Sequence, residues 1–216
     1  MKGRIRMIKA MILAMIIVAP LSLMSFDLNV KGEDGTTYKL VNDKSSLTWK
    51  GTKPGGEHIG VIKVVKGKVK TEGTAITGGN FTIDMNTIVN KDLTNESFNK
   101  KLVDHLRSED FFHTEAHPEA NFKIKSVVAE RSSKDGFTAN HKVTGDLTIR
   151  GITHQISFPA NIKVDEASVK AKSGEIVLDR TKWNVNYQSR KVFAELKDNY
   201  IHDEMYITLD LHFDKK

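Results

Sequence analysis

The sequence predicts an all-β chain, an antiparallel barrel or sandwich of about eight strands with one short helix between two strand groups. Three observations carry this. Apolar residues recur at every second position through most of the chain, the spacing that lines one face of a strand. Turn-forming sequences separate the alternating runs: Pro54-Gly55-Gly56, Gly78-Gly79, Asp135-Gly136, Gly151 and Ser173-Gly174. Third, the chain has no cysteine, so its core alone must hold the fold. Closing the sheet removes exposed edges.

The elements follow in chain order. Residues 1–25 open with the basic stretch "MKGRIRMIK" and continue with "AMILAMIIVAPLSLM". The apolar run falls short of the roughly 20 residues a spanning helix needs and follows basic residues, so it reads as an export signal. An uncleaved anchor is the alternative. Export without disulfides points to the bacterial periplasm. Residues 26–36 are polar and unpatterned, the marks of a linker, and the folded domain is expected over 37–216.

Within the domain, "SSLTWKGTK" turns Leu47 and Trp49 to one face. "HIGVIKVVKGKVK" is a less regular strand. "GGNFTIDMNTI" sets Phe81, Ile83 and Met85 against Thr82, Asp84 and Asn86. After it, "SFNKKLVDHLR" changes period: Phe98, Leu102 and Leu106 lie four apart, with Val103 beside them. That is an amphipathic helix over Ser97–Arg107, with Asn95 or Ser97 as N-cap. Phe111 and Phe112 follow, suited to cover an open barrel end. Ser108 before Glu109-Asp110 resembles a second helix start. Five further strands complete the set: "ANFKIKSVV", "HKVTGDLTIRG", "HQISFPANIKV", "SVKAKSGEIVLD" and "MYITLDLHF".

Composition narrows function. The net charge of +6 is concentrated at the start, where Lys2, Arg4, Arg6 and Lys9 precede the first acid, Asp27. Without that segment 29 basic residues face 27 acidic ones, a balance that leaves no broad surface for nucleic acid. The chain has no G-x-S-x-G elbow, Walker loop or dinucleotide fingerprint.

The stretch "HLRSEDFFHTEAHPEANFKI" is the candidate for chemistry. His113 and His117 have the spacing of two metal ligands on a helix, and His105 could add a third, giving a metal-dependent enzyme as one reading. Pro118 disfavours helical geometry at His117, and the histidines then belong to the solvent side of a lid. The inward apolar surplus offers two more readings. An eight-stranded barrel is either filled by its own side chains, as an interaction module, or holds one slender ligand.

The blocks "SSLTWKGTK", "GGNFTIDMNTI", "HLRSEDFFHTEAHPEANFKI", "VTGDLTIRGITHQISFPA" and "LDRTKWNV" occur in the order found in the YceI-like proteins, which this chain resembles over residues 37–215. The resemblance implies a lipocalin-like, eight-stranded antiparallel barrel in the periplasm. It also implies carriage of a long amphiphile, a polyisoprenoid or isoprenoid quinone, in an apolar tunnel, by binding and without turnover. It carries over no catalytic residue, metal or cofactor. His113 and His117 depart from its pattern, which favours Asp and Tyr there.

The residues expected to line the tunnel are the inward apolar ones: Trp49, Phe81, Ile83, Met85, Leu106, Phe111, Phe112, Phe122, Leu147, Phe158, Ile176 and Leu178. His58, Arg180 and Trp183 are the candidates for a head group. The expected partner is an amphiphilic lipid, with transient membrane contact; a dimer is compatible with the sequence, nucleic acid is not.

Overall fold

The computed structural model describes residues 35–216. The expected signal (1–25) and nearly all of the expected linker lie outside them. Among the described residues no helix is long and apolar enough to cross a membrane.

The strands are β1 (Thr36–Leu40), β2 (Ser46–Lys53), β3 (Gly56–Glu72), β4 (Ala75–Asn90), β5 (Glu119–Lys134), β6 (Phe137–Ile149), β7 (Ile152–Val164), β8 (Ser168–Ser173), β9 (Ile176–Asp179) and β10 (Glu204–Lys215). Every pairing is antiparallel. Strands β2 to β8 pair in sequence order, and β10 pairs with both β2 and β8. The sheet therefore closes into a ring of eight, as the alternation predicts; the closure is narrowest between β4 and β5, which pair only over residues 80–84 and 119–123.

Ten segments fill eight positions because two positions are interrupted. β1 and β2 both pair with β10 and β3, either side of a 3-10 turn at Asn42–Lys44. β8 and β9 likewise share β10. β1 is absent from the sequence-predicted set and begins one residue before the expected domain start. Its register places Thr36 opposite Thr71.

Local chemistry sets the turns. Asp135 and Gly136, between β5 and β6, both have positive φ (50° and 79°), the pairing that a two-residue hairpin turn demands. Arg150 and Gly151 repeat this between β6 and β7.

Among the described residues the one α-helix, α1 (Glu96–Arg107), is capped by Asn95, whose side chain accepts from the Phe98 amide at 3.1 Å. Two helix expectations need correction. Phe98 does not join the apolar face; it is 60% exposed, while Val103 and Leu106 are buried. Ser108 starts no second helix. It ends α1, and its carbonyl accepts from the Phe111 and His113 amides. The chain doubles back beneath the helix end, as the Phe112 amide donating to Leu106 O shows.

Candidate functional site

The barrel encloses an apolar cavity of about 170 Å³. Its walls come from alternate residues of the strands, because successive side chains point to opposite faces. All twelve sequence-predicted tunnel residues line it. Trp49 comes from β2, Phe81, Ile83 and Met85 from β4, Phe122 from β5, Leu147 from β6, Phe158 from β7, and Ile176 and Leu178 from β9. Leu106 of α1, with Phe111 and Phe112 after it, covers one end.

Two basic side chains hold that cover. Arg107 donates to the carbonyls of Asn86 (2.7 Å) and Ile88 (3.1 Å), tying the helix end to β4. Arg150 donates to Phe111 O and Asn184 O, both at 2.7 Å, joining the cover to the loop after β9. The arginines of "HLRS" and "LTIRG" are thus structural staples.

Four polar residues border this almost wholly apolar lining, Lys50, Arg180, His202 and Glu204, and Arg180 stands at the covered end, 5.9 Å from the Phe111 ring centroid. Each base there already has a partner. Lys50 Nζ lies 2.8 Å from Glu175, and this contact raises its pKa. The Arg180 guanidinium is only 3% exposed and donates to the carbonyls of His202 (3.1 Å), Val185 (2.6 Å) and Ile201 (3.0 Å). It also sits 3.5 Å from Asp203. Burial lowers its pKa, and Asp203, Asp179 and Glu204 pull it back. His202 Nδ1 shares a 2.7 Å hydrogen bond with Thr52 Oγ1. By contrast, Trp49 Nε1 is buried and has no hydrogen-bond partner among the described residues, an orphaned donor that a native interior seldom tolerates.

Of the three expected head-group residues, only Arg180 lines the cavity. His58 lies outside it, with Nδ1 2.8 Å from Asp92. Trp183 is 1% exposed and donates from Nε1 to Leu147 O at 3.3 Å, packed in the wall. The three histidines of the opening motif are not brought together as ligands. His113 and His117 meet edge to face with ring centroids 5.8 Å apart, while His105 packs edge-on against Phe111 and Tyr187 and contacts Asp110 at 3.4 Å. Among the described residues no three His, Asp or Glu side chains group as a metal site.

Sequence reasoning passed over several lining residues. Leu47, Ile149, Ile156, Ile207, Leu209 and Leu211 carry the same two-residue period as those chosen. Val185, Ile201 and His202 lie in irregular chain with no period to reveal them.

A YceI-like domain model matches residues 38–213. The chain belongs to the YceI-like family. Among curated relatives, Escherichia coli Protein YceI is 35% identical over 92 residues, 39% of this chain and 44% of that protein. UPF0312 protein plu2095 of Photorhabdus laumondii is 41% identical over 58 residues, 27% of each chain. These alignments therefore span less than half of either relative. Two solved structures share the fold. BcnA of Burkholderia cenocepacia superposes with a TM-score of 0.59 at 20% identity, covering 80% of this chain and 98% of that one. A polyisoprenoid binding domain from Saccharophagus degradans gives 0.57 at 12% identity, covering 84% and 99%.

Proposed function

We propose that this YceI-like protein binds a long amphiphile with an isoprenoid-type chain and an uncharged head, and carries or sequesters it in the periplasm. The observation that carries the reading is the cavity, lined almost wholly by apolar side chains, with Arg180 at its covered end. Burying such a chain yields roughly 25 cal/mol per Å² of apolar surface removed from water, with no reacting group needed. The protein would act by equilibrium binding. Likeness of fold to a polyisoprenoid binding domain supports the same ligand class, and the basic, then apolar, N-terminal stretch supports export.

The head group is read from the partners already taken. The basic residues of the lining are engaged by Glu175, by Asp203 with three carbonyls, and by Thr52. A pyrophosphate would have to break those contacts and lie near Glu204. A quinone or phenol oxygen needs only a donor, and Trp49 Nε1 offers one.

Tryptophan fluorescence tests this, because Trp49 lines the cavity and Trp183 does not. Titrating ligand-stripped protein with a ubiquinone should quench emission saturably. Trp49→Phe should remove most of the quench and weaken binding about tenfold, the loss of a hydrogen bond of roughly 1 kcal/mol plus some packing. Quenching that follows Trp183 alone, or no saturation, would contradict the proposal.

A further inference from the structure

Below the main cavity lies a second apolar space of about 40 Å³, and Phe81, Phe122 and Phe158 line both. These rings form a continuous row across the barrel. Phe81 stacks on Phe122 with centroids 6.1 Å apart, Phe122 meets Phe158 at 5.8 Å, and Phe213 extends the row from Phe81 at 5.6 Å.

The backbone is sculpted to seat this row. A β-carbon on Gly145 would lie 2.3 Å from Phe122 Cζ, and one on Gly67 would lie 3.0 Å from a Phe81 ring carbon and 3.4 Å from Phe213. Neither glycine has a positive φ, so what the position needs is room for a ring.

Resting on the proposed isoprenoid reading, we propose that the phenylalanine row is a floor that sets the length of chain the barrel accepts. With the head at the covered end, the tail runs down the strands toward the row. From Met205 to Leu211 on β10 the main cavity covers about 20 Å of strand. A longer tail meets Phe122 and cannot use the lower space unless the rings swing aside. Phe122 sits in the middle of the row, so its removal joins the two spaces.

The test is binding of ubiquinones whose tails lengthen one isoprene unit at a time. For the wild type, Kd falls steadily with length and then levels off when the tail reaches the row; each methylene buried before that point contributes about fourfold. Phe122→Ala should move the break by at least one unit and bind that longer ubiquinone at least tenfold tighter than the wild type. Adding Ala171→Leu, which fills the lower space, should cancel the gain. Phe122→Leu, a smaller truncation, gives a partial shift if the alanine variant does not fold. Identical length profiles for folded wild type and variants would overturn the floor while leaving isoprenoid binding intact. No binding at any length would overturn the isoprenoid reading and the floor with it.

Discussion

At the scale of single residues, the interior is a set of large rings laid over glycines. Trp49 on β2 stands opposite Gly60 on β3, and Phe81 on β4 opposite Gly67. A β-carbon on Gly60 would come within 1.9 Å of Val89 O and 2.5 Å of the indole. The first contact is with backbone and cannot yield by a rotamer change. Gly60→Ala should therefore destabilise the fold by about 3 kcal/mol, the upper end for overpacking, and displace Trp49. Gly78→Ala meets nothing within 4 Å and should stay within about 0.5 kcal/mol. Urea midpoints of the two variants check the contrast. His58 has a structural part of the same kind. It joins the Ile59 amide and Asn90 in binding Asp92. Burial pushes the Asp92 carboxyl up, but these hydrogen bonds outweigh it and hold the group below its ordinary range. A carboxylate depressed by folding adds stability above its unfolded value, about 3.9, and loses it as pH falls through the lower folded value. Stability should decline in acid through that window, and Asp92→Asn should make the decline shallower. An unchanged acid slope in the variant would remove Asp92 from the account.

At the scale of elements, α1 separates what periodicity reveals from what packing decides. Four-residue spacing and the Asn95 cap identify the helix from sequence. The spacing includes Phe98, yet that side chain stays in solvent, because only the C-terminal half of α1 packs on the barrel core, through Leu102 and Leu106. Asn95→Ala should then cost about 1 kcal/mol, Leu106→Ala about 2–5 kcal/mol, and Phe98→Ala less than about 0.5 kcal/mol. Thermal unfolding of the three variants tests that order. Ser108 misleads for a related reason. Its acidic neighbours suit a helix start, but the burial of Phe111 turns the chain back under α1. Among strands, the alternating runs of β6 and β7 were legible from His141 and His154 onward, although the strands begin at Phe137 and Ile152. β1 and β9 are short continuations of other strands, and their pairing with β10 is a tertiary fact that no local pattern encodes.

At the scale of the whole molecule, ring closure places alternate residues from distant segments around one cavity. The sequence therefore revealed the apolar walls well, since inward position and lining position coincide in a closed barrel. The polar border was much less legible. Arg180 was recognisable beside Trp183 in "LDRTKW", but its partners come from Val185, Ile201, His202 and Asp203 in irregular chain. His58 has the chemistry of a head-group contact and the wrong position, committed to Asp92 on the outside. The interruption of the cavity by the phenylalanine row also depends on ring orientation, which alternation leaves open. The proposed occupant of this cavity is an apolar-chain lipid with an uncharged head. Native mass spectrometry of the protein purified from its own host tests it most directly. A bound species of one narrow mass class, released by organic solvent and identified as a quinone or phenol on an isoprenoid chain, is the predicted result. Bare protein that also takes up no added ubiquinone, or a bound species carrying a pyrophosphate, would contradict it.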